Sequence, residues 1–378
     1  MRKGWKQETL DGACEITYGE RVIKRCDSGT AFPVYGGGGE TFRIDRFNRE
    51  DCTIVSRFGM SELCVRHVSG QFFLNDSGLS VHPQNPDNLF PRFLDYFLHA
   101  SQRTIYSLGR GSAQKNLDVK AFRRLAIEYP DSLPEQKRIV AILDEAFAGI
   151  DTAIANTEKN LANARELFES YLNSVFSQRS EGWAVRNLAE VCENLDSKRV
   201  PITKSKRKPG DIPYYGASGV VDHIADYIFD KDLLLVSEDG ANLLARTYPI
   251  AFSISGKAWV NNHAHVLGFE KIETQKFIEY FLNSITLEPY VSGMAQPKLN
   301  QKALNSIKVP FPSLEHQRAI VDKLDEIAIS KDHLSNIYQH KLTALAELKQ
   351  SLLQKAFSGE LTAAKSVTDS THKEEDVA

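Results

Sequence analysis

A run of basic side chains precedes two tyrosines in residues 197–219, SKRVPITKSKRKPGDIPYYGASG. Lys and Arg can neutralise nucleic-acid phosphates, while polar side chains on the same loop can reach base edges. The alternative is a solvated, flexible loop without a ligand. The pattern favours nucleic-acid binding, with candidate contacts at Lys198, Arg199, Lys204, Lys206, Arg207, Lys208, Tyr214, Tyr215 and Ser218.

Further candidates lie at glycine-containing turns and in a matching basic region of the first half. Residues 103–117, RTIYSLGRGSAQKNL, align with 287–300, LEPYVSGMAQPKLN, and a glutamine is retained in each. These glutamines are either contact residues or turn residues. The added candidates are Arg21, Lys24, Arg25, Tyr35, Arg110, Gln114, Lys115, Gln296 and Lys298.

Sequence motifs for catalysis are missing. No G-x-x-x-x-G-K-[ST] motif occurs, and YGGGG at 35–39 lacks the lysine and hydroxyl residue that bind nucleotide phosphates. QNPDN at 84–88 lacks the second proline and the aromatic residue of an amino-methyltransferase motif. His263, His265 and Asp239 could suggest a metal, but no further ligand follows at metal-site spacing. We therefore predict a non-catalytic chain with no metal and no cofactor of its own.

The composition is that of an ordinary globular protein, with 42% hydrophobic and 25% charged residues and a formal net charge of −3. The acidic excess lies in 135–177 and after 359, so the overall charge does not exclude a nucleic-acid partner for the rest. The five cysteines form no CxxC pair, and no apolar signal core or membrane-length apolar run occurs. These features predict a cytoplasmic protein without a membrane segment.

The elements that must position the candidate residues occur twice. SLPEQKRIVAILDE at 132–145 returns as SLEHQRAIVDKLDE at 313–326, and GWKQETLDGAC at 4–14 returns as GWAVRNLAEVC at 182–192. Each copy begins with short β-rich stretches and an amphipathic helix, which predict a compact α+β domain. Helix capping explains the serine that opens each long helix, but not the shared glutamine or the shared LDE.

A long proline-free segment follows in each copy and carries apolar residues at helical spacing. In the second copy the spacing is close to a heptad repeat, which is typical of a coiled coil. The predicted coiled-coil positions are Ile139, Leu143, Ile150, Ile154, Leu161, Phe168, Ile320, Leu324, Ile327, Leu334, Leu345, Leu348 and Leu352.

This layout resembles the DNA specificity subunit of type I restriction-modification systems. The likeness rests on the repeated Q-x-x-I-V-x-x-L-D-E helix openings, the A-Q-x-x-L turns, and the W-x-x-x-x-L-x-x-x-C starts at Trp5 and Trp183. The resemblance implies an α+β fold with two tandem α/β target recognition domains, separated by two conserved helices. These helices would form an antiparallel coiled coil with pseudo-two-fold symmetry.

The same resemblance implies a chain that performs no chemistry. It would recognise double-stranded DNA and bind two methyltransferase subunits and translocase/endonuclease subunits. Those partners, rather than this chain, would use S-adenosylmethionine, ATP and Mg.

The expected segments are recognition domains at 1–131 and 179–312, conserved helices at 132–178 and 313–359, and a disordered acidic tail at 360–378. The two domains differ where YGGGGETFRIDRF (35–47) faces YGASGVVDHIADYIF (215–229), which predicts an asymmetric bipartite target. The alternative is a coiled-coil adaptor whose globular units bind proteins rather than DNA.

Overall fold

The computed structural model describes residues 2, 4–177, 183–293 and 296–362. The chain divides into two compact units, one made of Met1–Thr157 with His340–Ala378 and the other of Glu158–Gln339. Two long helices of 45 residues each pass from one unit into the other, so each unit contains part of both. The mixed α+β fold with two repeated domains and two long helices, predicted above, is confirmed.

The first unit contains the ten strands of the first repeat. They are β1 (Trp5–Thr9), β2 (Cys14–Tyr18), β3 (Phe32–Gly36), β4 (Gly39–Ile44), β5 (Arg49–Ser56), β6 (Val65–Leu74), β7 (Gly78–Pro83), β8 (Gly109–Arg110), β9 (Asn116–Leu117) and β10 (Ala126–Pro130). A six-stranded sheet has the order β2-β7-β5-β6-β3-β4 and is antiparallel except between β3 and β6. The pairs β1–β10 and β8–β9 form two small ribbons.

The helices of the first repeat cover this sheet and lead into the second unit. They are α1 (Leu10–Ala13), α2 (Pro91–Ala100), α3 (Gln102–Ser107), α4 (Val119–Arg123) and the long α5 (Leu133–Ser177). α2 begins with a proline, which has no N–H to leave unpaired at a helix start. Its apolar face, with Phe93 and Leu94, belongs to the same core as Val55 and Leu79 of the sheet.

The second unit repeats this arrangement. Its strands are β11 (Ala184–Asn187), β12 (Glu193–Asn194), β13 (Pro209–Gly216), β14 (Gly219–Ile224), β15 (Phe229–Asp230), β16 (Leu233–Ser237), β17 (Ala251–Ile254), β18 (Lys257–Val260), β19 (Ala264–Gly268) and β20 (Lys308–Phe311). Its helices are α6 (Asn242–Ala245), α7 (Ile272–Ser284), α8 (Gln301–Asn305) and the long α9 (Leu314–Ser358). Single 3-10 turns lie at Leu188–Glu190, Asp196–Lys198, Lys204–Lys206 and Glu288–Tyr290.

The sheet of the second unit is divided where that of the first is continuous. Its strands form two four-stranded sheets, ordered β12-β19-β16-β17 and β14-β13-β18-β15, besides the ribbon β11–β20. β6 is one long strand with Gly70 at φ +74, whereas Gly256, at φ +72, separates β17 from β18. Glycine adopts this left-handed conformation without a steric penalty, so the chain can bend at both glycines.

A buried glutamine fixes the first turn of each long helix to its domain. Gln136 accepts from the N–H of Phe90 (2.8 Å) and donates to the carbonyls of Asn88 (2.8 Å) and Pro130 (2.9 Å). Gln317 donates to the carbonyl of Pro312 (2.9 Å) and accepts from the Thr274 hydroxyl (2.7 Å). The shared glutamine is thus explained by burial, since the two side chains are 0% and 1% exposed.

The aspartate of the shared LDE triplet supplies a second attachment about two helical turns further along. The Asp325 carboxylate accepts from the Tyr280 hydroxyl (2.7 Å) and binds the Lys276 ammonium (2.6 Å). In the first unit Asp144 accepts from the Tyr96 hydroxyl and pairs with Arg92. Burial, with the hydrogen bond to Asp325, raises the pKa of Tyr280. Both repeats therefore join the amphipathic helix to the long helix through an aspartate, a tyrosine and a cation.

Within each unit the two long helices run antiparallel. In the first unit Arg138 donates to the carbonyl of Thr362 (3.1 Å), and Lys349 pairs with Asp151. In the second, the Lys331 ammonium lies 5.0 Å from the ring centroid of Phe168. Early residues of α5 therefore meet late residues of α9, and late residues of α5 meet early ones.

Aromatic side chains of the long helices complete both domain cores. Phe357 packs edge-on against Phe93 (5.1 Å between centroids) in the first unit. Phe176 packs against Phe277 (5.3 Å) and Phe281 (5.5 Å) in the second. Sequence reasoning did not include Phe176 or Phe357 among the helix contacts, although both repeats place phenylalanine there.

Most of the predicted coiled-coil positions are buried or partly buried, and two are exposed. Buried or partly buried positions are Ile139, Leu143, Ile150, Ile154, Leu161, Phe168, Ile320, Leu324, Ile327, Leu345 and Leu352. Of these, Ile139, Leu143 and Leu324 belong to the domain cores. The prediction is wrong for Leu334 and Leu348, which are 40% and 46% exposed. They belong to one heptad series, which drifts by about 20° per heptad around a straight helix and so leaves the buried face.

The predicted disordered tail lies mostly outside the described residues. Residues 360–362 are helical, Leu361 packs against the first core, and 363–378 are not described. Among the helices that the structure describes, none is both long and apolar enough to cross a membrane.

Candidate nucleic-acid interface

Four loops of the first unit meet at one edge of its sheet, which we call the first edge (36–39, 56–60, 75–77 and 109–117). The Ser56 hydroxyl donates to the carbonyl of Gly37 (2.6 Å), and the Gly37 N–H donates to the Ser77 hydroxyl (3.0 Å). The N–H of Leu117 donates to the carbonyl of Arg57 (2.8 Å). These bonds hold the glycine-rich turn, two strand-end loops and the β8–β9 ribbon together.

Glycine is required at the centre of this edge. A Cβ at Gly37 would lie 2.8 Å from the carbonyl oxygen of Phe58, and Gly59 has φ +59. The glycines of YGGGG therefore allow a hairpin turn to pack closely against a neighbouring loop.

The first edge also carries a cation between two aromatic rings, which sequence reasoning missed. The Arg57 guanidinium carbon lies 4.8 Å from the Tyr18 ring centroid and 4.3 Å from that of Phe58. Tyr18 is 44% exposed and Phe58 39% exposed, so both rings border solvent. The only sequence signal was the adjacent Arg-Phe-Gly, which has no counterpart in the second repeat.

The structure brings Arg110, Gln114 and Lys115 to the first edge. Gln114 is exposed, and its amide nitrogen would be 3.1 Å from a Cβ at Gly59. The Lys115 ammonium lies over the Tyr106 ring (4.0 Å), and Arg110 pairs with Asp118 while remaining 81% exposed. The predicted role of these residues as nucleic-acid contacts stays a prediction.

The remaining first-repeat candidates lie elsewhere. Arg21, Lys24 and Arg25 are exposed on the segment between β2 and β3, outside the first edge. Tyr35 was predicted as a contact, but its half-buried ring packs edge-on against Phe72 at 5.5 Å. That ring is used to hold the sheet together.

The second unit has a corresponding second edge (216–219, 237–240, 261–263, 292–293 and 296–298). The Ser237 hydroxyl donates to the carbonyl of Ala217 (2.5 Å), as Ser56 does to Gly37. The N–H of Gly240 donates to the carbonyl of Pro297 (3.1 Å), which ties the loop after β16 to the segment at 296–298. Ser218 and Gln296 are exposed on this edge.

An acid–base pair projects from the second edge. The Asp239 carboxylate lies 2.8 Å from Nδ1 of His263, whose side chain is 51% exposed. The first edge has an arginine and a phenylalanine in the corresponding loop, so the two edges offer different side-chain chemistry.

Beneath the second edge lies a buried charge network. The Arg199 guanidinium contacts Glu238 (2.6 Å) and Asp196 (3.5 Å), and Lys298 contacts Glu238 (3.1 Å). Burial opposes ionisation of Glu238, but the hydrogen bond from Arg199 and the nearby cations lower its pKa below the ordinary value. The network holds the loop after β16 in place.

Asp196, Glu238 and His265 also lie close enough together to share a metal ion. Both ring nitrogens of His265 are already used, Nδ1 by Asp196 (2.6 Å) and Nε2 by the carbonyl of Leu299 (2.7 Å). A metal ion would further add charge beside Arg199 and Lys298. The residues therefore fit an ion-pair network and do not fit a metal centre.

The basic loop before β13 divides into structural and exposed residues. Three predicted contacts are corrected: Arg199 is held in the network, Tyr214 is 1% exposed, and Arg207 pairs with Asp222 (2.9 Å). The hydrogen bond from Arg207 lowers the pKa of Asp222. Tyr215 is half-buried near Phe252.

The lysines of this loop extend into solvent. Lys204, Lys206 and Lys208 are exposed, whereas Lys198 approaches Glu193 at 4.0 Å. They are available to phosphates, and their predicted role stays a prediction.

The sequence matches the model of the type I restriction modification DNA specificity domain twice, at residues 2–163 and 180–342. It is 24% identical to a putative type I specificity subunit of Mycoplasma genitalium over 389 aligned positions, covering 97% of each chain. It is 34% identical over 140 residues to a putative type I restriction enzyme specificity subunit of Haemophilus influenzae. That match covers 37% of this chain and 36% of the relative, so it spans about a third of each.

A solved structure has a similar fold over nearly the whole chain. It comes from work on complex assembly and conformational transition of the type I restriction-modification system, has 19% identity and a TM-score of 0.74, and is matched over 99% of its length and 96% of this chain.

Proposed function

Because the chain belongs to the type I restriction-modification DNA specificity family, we propose that it recognises an asymmetric, bipartite sequence in double-stranded DNA. The specificity subunits of this family are non-catalytic, and the chain is a subunit of that kind. Base recognition by the first and second edges is the function that the geometry supports best.

One observation carries this proposal. Each unit joins a glycine-containing hairpin turn to a strand-end loop through a matched serine hydrogen bond, and backbone hydrogen bonds tie a Gln-containing segment to that loop. The shared framework presents unlike side chains, Arg57 and Phe58 in one unit and Asp239 with His263 in the other. A common scaffold with different exposed groups is what reading two different half-sites requires.

The proposal includes partners. Two methyltransferase subunits and translocase/endonuclease subunits would bind this chain and would supply S-adenosylmethionine, ATP and Mg chemistry in the cytoplasm. The family membership of the chain and its match to other type I specificity subunits support these partners.

Methylome sequencing tests the function. The chain is co-expressed with its methyltransferase, and methylated adenines are mapped. We expect one motif with two unlike halves, and identical halves or no motif would contradict the proposal.

Gel shifts of the purified complex at increasing salt separate DNA recognition from the adaptor alternative. DNA recognition predicts binding that weakens steeply with salt. An adaptor would bind a protein and show no such dependence.

A further inference from the structure

Arg57 makes fewer hydrogen bonds than Arg43 and Arg49 of its sheet and so keeps more unused donors. Among the described residues, its guanidinium donates one hydrogen bond, from Nη1 to the carbonyl of Asp76 (3.2 Å), and no carboxylate pairs with it. By contrast, Arg49 donates to Ser80, Asn48 and Tyr18. A guanidinium has five N–H donors, so four remain on Arg57.

Two aromatic rings and the backbone restrict the position of this guanidinium. The Tyr18 and Phe58 rings hold it at 4.8 and 4.3 Å, which restricts rotation of a side chain that is otherwise flexible. Its backbone is also fixed, because the Arg57 N–H donates to the carbonyl of Ser77 (2.8 Å) and its carbonyl accepts from Leu117 (2.8 Å). A rigid planar donor group loses little conformational entropy when it binds a planar acceptor pair.

The described residues of the second edge include no equivalent donor. Glu238 follows Ser237 as Arg57 follows Ser56, and it is 9% exposed with Arg199 and Lys298 bound to it. Among the residues that the structure describes, a guanidinium with unused donors therefore lies at the first edge and not at the second.

We propose that Arg57 reads a guanine in the half-site bound by the first unit, through its free N–H donors and the O6 and N7 acceptors. Arginine donates to this acceptor pair in the major groove more often than to any other base edge. The stacked rings orient the guanidinium for that contact. This inference rests on the proposed function, since it assumes that the first edge binds DNA.

The test compares Arg57→Gln and Arg57→Lys with wild type, each co-expressed with the methyltransferase. We expect both variants to lose preference for one guanine, by roughly tenfold or more, in one half of the motif only. Arg46→Gln is the matched control, because Arg46 also stacks on an aromatic ring (Phe73, 5.3 Å) but lies at the opposite end of the β3–β4 hairpin. It should leave the motif unchanged.

Competition binding with duplexes altered one base pair at a time gives a readout that does not depend on methylation rate. If the Arg57 variants weaken binding to all duplexes equally, Arg57 contacts a phosphate and the proposal is overturned. An unchanged motif in both variants overturns it as well.

Two further outcomes are distinguishable. If Arg57→Gln fails to fold, by circular dichroism and gel filtration, the same measurements on Arg57→Lys decide. If wild type itself yields no motif and no salt-dependent DNA binding, the proposed function fails, whereas a wild-type motif that the variants share removes only the role of Arg57.

Discussion

Replacing Gln136 by methionine should loosen the attachment of α5 to the first domain. The side chain is 0% exposed and is the hydrogen-bond partner of three backbone groups, on Phe90, Asn88 and Pro130. Methionine has a similar length but offers no amide, so all three groups lose that partner. An unsatisfied buried group costs roughly 1–3 kcal/mol, and at the low end the sum is about 3 kcal/mol of unfolding free energy.

Hydrogen exchange followed by mass spectrometry on the full chain measures this loss locally. The slowest amides of α2 and of the first turns of α5 should exchange roughly 100-fold faster, since each 1.4 kcal/mol is a factor of ten. Peptides from the second unit provide the internal reference.

Two matched variants control for the substitution itself. Gln354→Met changes an exposed glutamine of α9 in the same unit and should alter stability by less than about 0.5 kcal/mol. Gln317→Met should cost less than Gln136→Met, about 1–2 kcal/mol, because Gln317 serves one carbonyl and one rotatable hydroxyl. If Gln136→Met behaved like Gln354→Met, water would have replaced the amide and the reasoning would be refuted.

Three further predictions concern the second unit. Phe176→Ala should cost about 3–5 kcal/mol in urea unfolding, whereas Leu167→Ala on the same helix should be near neutral because Leu167 is 71% exposed; equal effects would contradict the packing. Burial alone would raise the pKa values of Glu238 and Asp196, but hydrogen bonds and nearby cations lower both. The stability that these two carboxylates contribute is therefore present above the ordinary carboxyl range near pH 4, and it is lost as the pH falls through the lowered pKa values. Glu238→Gln should therefore flatten the acid side of a plot of melting temperature against pH, and an unaltered acid side would count against the network. Tyr280→Phe should lower the free energy of unfolding by about 1–2 kcal/mol, because it removes the hydrogen bond to Asp325. Wild-type stability in this variant would show that the hydrogen bond between α7 and α9 does not stabilise the unit.

Much of the fold follows from the sequence because the repeat and the helical spacing are local patterns. The motif Q-x-x-I-V-x-x-L-D-E identified residues that capping could not explain. In the structure Gln136 and Asp144 contact the globular part of their own unit. Their partners Phe90 and Tyr96 lie far away in sequence, so no local pattern could identify them.

The candidate interface was harder to predict, because residue type does not reveal whether a charge is already paired. In the sequence Arg199 and Arg207 look like the neighbouring lysines, yet in the fold each is paired with a carboxylate from another segment. Arg57 could not be identified from the sequence, because Tyr18 of β2 contacts it only in the folded sheet and the adjacent Phe58 alone is a weak signal.

The first unit is discontinuous in sequence, and this has a consequence for the order of folding. The second unit, Glu158–Gln339, is contiguous, whereas the first needs residues from 340 onward. On the ribosome α2, which carries Phe93, emerges early. Phe357, which packs on Phe93, lies near the C-terminal end of α9 and is made much later. Contacts between residues so far apart in sequence raise the contact order, which slows folding. The domain that is synthesised first is therefore the one that is completed last, and until then its apolar face stays open to chaperones or to misassembly.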